Sequence, residues 1–299
     1  MELNNYQKQV MRDLSSYMVC VNRGTNLFSA WREYWFAKDV AVGLGGVPSY
    51  NNSIQCVPHV CMKVPTGGGK TFMACASIRR IFDAMPTGKQ QVVVWLVPSD
   101  SILTQTIRNL SDANHPYRQR LDQDFAGRVG VYTKEMLLTG QNFSPDTVRE
   151  MLTVCIMSYS SLRIDSRNRD VLKAYQENGN LFRFAESFKD TDALLADTPD
   201  TALIQVLRHL EPVVVVDESH NAESKLSVEM LNNLNPSFVL DLTATPRKNS
   251  NIISYVDARE LKKEHMVKLP VVVYNRTTRQ SVIQDAIQLR GSIEQEAIA

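Results

Sequence analysis

The chain begins with a helical pattern. Tyr6, Val10, Leu14, Tyr17 and Val21 recur at steps of three and four, which puts them on one helix face. Trp31, Tyr34 and Trp35 follow at helical spacing, and Gly43-Leu-Gly-Gly-Val-Pro-Ser reads as a loop. A different pattern then takes over. Short apolar runs lie at residues 59–64, 91–97, 128–132, 153–158, 213–216 and 238–242, with helical patterns at 71–84 and 99–110. A strand buried on both faces has no solvent side, so it lacks polar alternation. Such runs separated by helices predict an α/β domain, a mostly parallel sheet with helices on both faces.

The segment 163–210 breaks this alternation. It carries Glu186, Asp190, Asp192, Asp197 and Asp200, and it predicts one helical surface insertion without chemistry of its own. After Pro246 basic residues outnumber acidic ones, and the chain is expected to leave the domain. The expected organisation is therefore a helix and lead-in over 1–57, a nucleotide-binding lobe over 58–250, and a linker or the start of a second lobe over 251–299.

Composition narrows the class. At 299 residues, with 43% hydrophobic and 22% charged, the chain is not collagen-like, coiled-coil or disordered. The net charge of +1 gives no overall attraction for a nucleic acid, so any basic surface must be local. The five cysteines form no Cys-x-x-Cys pair, which points to free thiols in a reducing compartment. No apolar run reaches bilayer length, and the first residues lack the features of a signal peptide. The expectation is a cytoplasmic protein with no membrane partner.

Three segments carry chemistry. Pro65-Thr66-Gly67-Gly68-Gly69-Lys70-Thr71 lies between a predicted strand and a predicted helix. Glycines allow the backbone to wrap phosphate oxygens, and the helix N-terminus presents N–H groups to the anion. Lys70 can bridge the outer phosphates, and the Thr71 hydroxyl can ligate Mg²⁺. The strict P-loop pattern starts with glycine where this chain has Val64. Four valines then run into Asp217-Glu218-Ser219-His220. Open α/β sheets bind ligands at the C-terminal ends of their strands, which suits Asp217 as a Mg²⁺ ligand and Glu218 as general base. Thr243-Ala244-Thr245-Pro246 closes a further run.

Taken in order, Pro-Thr-Gly-Gly-Gly-Lys-Thr, Asp-Glu-Ser-His and Thr-Ala-Thr-Pro resemble motifs I, II and III of superfamily 2 helicases of the DEAD/DEAH type. The nearest likeness is to the motor (Res) subunit of type III restriction enzymes and related bacterial defence helicases. Val-Lys-Leu-Pro at 267–270 is similar to that group as well. The resemblance implies a RecA-like P-loop NTPase lobe. ATP would be bound by Gln7, Thr66, Gly67, Gly68, Gly69, Lys70 and Thr71. Mg²⁺ would be held by Thr71 and Asp217, and Glu218, Lys70 and Asp217 would carry catalysis. His220, Thr243 and Thr245 would couple hydrolysis to movement. Pro98, Ser99 and Thr104 resemble motif Ia and Ser158 a motif Ib region, so these would contact nucleic acid. The implied partners are nucleic acid, DNA in preference to RNA, a second RecA-like lobe, and a modification or specificity subunit.

The family's Gln-x-x-Gly-Arg-x-x-Arg motif is missing after Pro246, and the fifty or so remaining residues are too few for a second lobe. The chain therefore reads as the ATP-hydrolysing lobe of a helicase or translocase. The alternative is an ATP-gated nucleic-acid clamp or sensor without unwinding. Two signals are set aside. Cys56-Val-Pro-His59-Val-Cys61 lacks a second cluster to complete a zinc site. The spacing of Trp31, Tyr34 and Trp35 suits packing better than base stacking.

Overall fold

The computed structural model describes residues 2–162, 173–188, 194–217, 225–266 and 278–298. Two units emerge, Met1–Met266 and Val267–Ala299. In the first, helices α1 (Asn5–Arg23) and α2 (Leu27–Phe36) precede strand β1 (His59–Lys63) and helix α3 (Lys70–Asp83). Then come β2 (Val92–Val97), α4 (Asp100–Ser111), α5 (Pro116–Asp124), β3 (Val129–Thr133), α6 (Lys134–Thr139), α7 (Pro145–Glu150) and β4 (Leu152–Ser158). Helix α8 (Leu203–His209) leads to β5 (Val213–Asp217), α9 (Lys225–Leu234), β6 (Phe238–Thr243), β7 (Ile252–Tyr255) and α10 (Ala258–Lys263). The second unit contributes α11 (Arg279–Ile298).

The seven strands form one sheet in the order β3-β4-β2-β5-β6-β1-β7. Every pairing is parallel. Side chains alternate across the sheet and build two cores. Val60 and Met62 of β1, Val93 and Trp95 of β2, Val213 and Val215 of β5, and Leu240 and Leu242 of β6 pack with α1 and α3. Val94, Leu96, Val214, Val216 and Val239 face the other way, onto α8 and α9. This is the α/β, RecA-like arrangement with helices on both faces. It follows from strands so apolar that both faces must be covered.

The structure departs from the sequence expectations at three places. Residues 1–57 are not merely a lead-in. Tyr6, Val10, Met11, Leu14 and Tyr17 belong to the same core as the sheet, and Tyr34 donates 2.5 Å to the Ile253 carbonyl. The sheet also continues beyond residue 250, because β7 adds to the far side of β1. Leu261 of α10 closes over the same core. The segment 163–210 is only partly an insertion. Ala174, Leu181, Phe184 and the apolar positions of α8 are buried against the sheet, so the acidic residues decorate a core element. Asp190 and Asp192 lie outside the described residues.

Candidate nucleotide and nucleic-acid site

The loop of residues 65–71, expected to bind phosphate, runs from the end of β1 into the start of α3. Gly67 and Gly69 have φ of 86° and 74°, a region that L side chains enter at a cost. Gly69 is the N-cap of α3, so its conformation sets the direction in which the helix's free N–H groups point. Gly68 fulfils a different need. A Cβ there would lie 2.6 Å from Val64 Cγ1 and 3.1 Å from the Pro65 carbonyl. The valine at the position of the strict pattern's first glycine is buried, and its side chain takes up the room that Gly68 leaves. Val64 N also donates 3.0 Å to the Thr243 carbonyl, which ties the start of the loop to the end of β6.

Lys70 opens α3 and is 8% exposed, whereas Thr71 beside it is half-buried and Thr66 and Gly67 are exposed. Asp217 ends β5 and is buried. By alternation with Val213 and Val215 it lies on the α3 face. Its charge is felt there. The Cys75 thiol of α3 is pushed up by burial, with Asp217 adding in the same direction. Tyr117 is raised by burial first, then by Cys75 and Asp217. Two strand steps, about 10 Å, separate β5 from β1. That spacing suits a phosphate chain and a cation held between loop and carboxylate. Glu218 and His220 lie outside the described residues, as do residues 267–270.

Gln7 is not an exposed helix glutamine. It is 1% exposed, and its Nε2 donates to the Gly68 carbonyl at 3.2 Å and to Tyr6 Oη at 3.3 Å. Its Oε1 accepts from Asn4 N at 2.9 Å. Tyr6 Oη itself donates to the Gly68 carbonyl at 2.8 Å. Both amide hydrogens are thus engaged with the loop and its tyrosine in this structure. A contact from Gln7 to an adenine edge requires at least one of these bonds to be exchanged.

The β6 end carries the third motif. Thr243 is fully buried, and its Oγ1 accepts from Thr245 N at 3.2 Å, while Thr245 is exposed. Two residues earlier Asp241 meets His59, Oδ2 to Nε2 at 3.0 Å, on the face opposite α3. Sequence reasoning missed this pair. A lone aspartate inside Phe-Val-Leu-Asp-Leu-Thr was the available signal, since an apolar strand buries a carboxylate only with a partner. In the Cys56–Cys61 stretch Cys56 is exposed and Cys61 buried, and among the described residues no group of three His, Cys, Asp or Glu side chains is placed to hold a metal ion.

The residues expected to touch nucleic acid lie at the ends of β2 and β4. Pro98 is half-buried and Ser99 exposed. Ser99 Oγ caps α4 by accepting from Ile102 N at 3.5 Å and lies 3.1 Å from Ser101 Oγ. Exposed Thr104 donates to the Asp100 carbonyl at 2.9 Å. Ser158 is buried, with its hydroxyl 2.9 Å from Ser160 Oγ and 2.8 Å from Ser161 Oγ, so it organises a turn. The neighbour of Ser158, Tyr159, donates its hydroxyl to the Asp217 carbonyl. This joins the β4 end to the carboxylate strand and was not anticipated. No helix among the described residues is long and apolar enough to cross a membrane.

Comparison with known proteins completes the picture. The family model for the type III restriction enzyme, res subunit, matches residues 1–248. No curated protein sequence matches. Among solved structures, a nuclease-deletion mutant of the type ISP restriction-modification enzyme LlaGI, in complex with a DNA substrate mimic, is 13% identical. It covers 89% of this chain and 21% of its own, at a TM-score of 0.45. The ATP-dependent type ISP enzyme LlaBIII bound to DNA is 13% identical over 89% of this chain and 16% of its own, also at 0.45. The UvsW helicase of bacteriophage T4 is 11% identical over 81% and 66%, at 0.32. This chain thus spans about a fifth of the length of the first two. By the match over residues 1–248, the chain belongs to the type III restriction enzyme res subunit family.

Proposed function

We propose that this lobe binds ATP with Mg²⁺ and hydrolyses it in response to a nucleic-acid strand, as the DNA motor of a restriction-type or defence system. The observation that carries the reading is the glycine-shaped loop of residues 65–71 at the end of β1, with Asp217 two strands away on the same face. Thr66, Gly67, Gly68 and Gly69 cradle the phosphates through backbone N–H groups. Lys70 neutralises the outer phosphates. Thr71 and Asp217 hold the cation, whose charge stabilises the leaving phosphate oxygens. Glu218 takes the proton of the attacking water. Gln7 exchanges a loop bond for the base edge. His220, Thr243 and Thr245 relay the state of the nucleotide along β6, whose last carbonyl already holds the loop. Pro98, Ser99, Thr104 and the Ser158 turn face the strand. DNA rather than RNA follows from the restriction role in the family's name.

Completion of the site requires arginines from a second RecA-like lobe, and a modification or specificity subunit is the expected protein partner. The domain reading is accordingly a lobe with its own N-terminal helices, followed by a linker.

The test is ATP turnover of the full-length protein, second lobe included, with and without single- and double-stranded DNA and RNA, with Lys70→Ala alongside. We expect turnover stimulated by DNA and lowered about 10²–10³-fold in the variant, the loss typical of one charge-stabilising group. A Lys70→Ala protein that hydrolyses ATP at the wild-type rate would sink the reading.

A further inference from the structure

Two of the segments just described are joined by one side chain. The turn Tyr159–Ser161 follows β4, and Asp217 ends β5. In the sheet β2 lies between those strands. The pairing of β2 with β5 stops at Leu96↔Val216, so Asp217 stands one residue beyond it. There the Tyr159 hydroxyl donates to the Asp217 carbonyl. The side chain therefore reaches past the end of β2, and it engages the backbone of Asp217, whose carboxylate lies on the α3 face by strand alternation.

The two ends of this bridge differ in character. At one end Ser158, Ser160 and Ser161 form a compact hydroxyl cluster in a turn at the proposed strand-binding surface. At the other, Asp217 is the last residue of β5, paired with Leu242 on its β6 side and past the end of the β2 pairing on the other. A displacement of the turn is thus transmitted to Asp217 through the directional bond from the Tyr159 hydroxyl. The ring packs against the core formed by Val94, Leu96, Val214 and Val216. On its other side it borders a cavity of about 460 Å³ lined by His59, Asp241, Arg247 and Leu231 among others. The ring is held on one side and has room on the other, as a bond that is made and released requires.

We infer that Tyr159 is a positioning residue that couples nucleic-acid binding at the 158–161 turn to the hydrolytic carboxylates, by a route that does not pass through Thr243 and Thr245. The inference rests on the function proposed above and names a part that function does not assign. Strand binding seats the turn, the tyrosine bond draws the end of β5 into register with the phosphate loop, and Asp217 takes up its hydrolytic position. Releasing the turn lets the ring move towards the cavity and relaxes Asp217.

The test compares Tyr159→Phe with Tyr175→Phe in the intact protein. Both variants keep the ring and lose one hydroxyl-to-carbonyl bond, since Tyr175 donates 2.8 Å to the Leu162 carbonyl. Only Tyr159 spans the two segments. Three quantities are read: affinity for a fluorescent ATP analogue, affinity for an oligonucleotide, and the ratio of ATP turnover with and without that oligonucleotide. In Tyr159→Phe we expect both affinities to stay within about twofold of wild type and the ratio to fall at least about fivefold, the lower end of ordinary coupling between sites. In Tyr175→Phe the ratio stays at the wild-type value. An unchanged ratio in Tyr159→Phe overturns the inference. So does an equal fall in both variants, which marks general loosening of the core. If wild-type turnover ignores the oligonucleotide, the motor reading itself has failed, and the two failures are told apart.

Discussion

At the β1 end of the sheet the groups proposed to meet a ligand are backbone N–H groups, held by glycines at φ of 86° and 74° and by a buried valine. At the β2 and β4 ends they are side-chain hydroxyls already engaged. Ser99 caps a helix, Thr104 bonds a helix carbonyl, and Ser158 braces a turn. A site made from backbone constrains its sequence tightly, because only glycine fits the dihedral angle or the available space. A site made from hydroxyls constrains it loosely, because serine and threonine serve caps, turns and phosphates equally well. That difference can be broken or sharpened by substitution.

The largest effect is expected at Gly68. Alanine there brings Cβ within 2.6 Å of Val64 Cγ1, and overpacking of this kind costs about 1–3 kcal/mol. Gly68→Ala should lower the urea midpoint and weaken binding of an ATP analogue. Val64→Ala added to it should restore much of both, since it removes the clashing methyls. The four proteins form a double-mutant cycle with a large coupling term. Additive losses would mean that the valine does not set the requirement, which would then rest with the Pro65 carbonyl 3.1 Å from the added Cβ.

Gly69→Ala is expected to cost somewhat less, about 1–2 kcal/mol for a left-handed alanine. Its new Cβ would also come within 2.6 Å of Gln7 Nε2, which is the end of a flexible side chain. Adding Gln7→Ala therefore relieves the contact and leaves the dihedral cost. The double variant should stay destabilised in urea, in contrast to the Gly68 and Val64 pair. Full recovery would show that Gln7, and not the backbone, sets the requirement for glycine.

The same contrast explains what the sequence could and could not reveal. Six strands were legible as β-branched or apolar runs, because burial on both faces leaves no other composition. The seventh, Ile252–Tyr255, was not, since four residues with a serine and an exposed tyrosine resemble any loop. Helix α8 was hidden in acidic company, although Leu203, Ile204, Val206 and Leu207 are fully buried. The glycine-shaped turn of residues 65–71 between strand and helix was legible because its backbone demands are local. The partnership of His59 with Asp241 spans 182 positions, and that of Tyr159 with the Asp217 carbonyl spans 58. No local pattern encodes either one, because each depends on which strands become neighbours.

The smallest effect is expected at Ser99, and it is the most discriminating. Ser99→Ala removes the α4 cap, worth about 1 kcal/mol, and any phosphate contact with it, so a loss of nucleic-acid affinity in that variant has two explanations. Ser99→Asp separates them. Aspartate caps a helix as well as serine does, and its charge favours the helix N-terminus, so thermal stability should match or exceed wild type. The same charge repels a phosphate. If Ser99 grips the backbone of a strand, Ser99→Asp should bind an oligonucleotide more weakly than wild type while remaining folded. If it binds as wild type does at every salt concentration, Ser99 is a cap and nothing more. A phosphate at the start of α4 is then excluded as well, because the aspartate charge stands at those N–H groups, and the grip on a strand falls to the Ser158 turn at the end of β4.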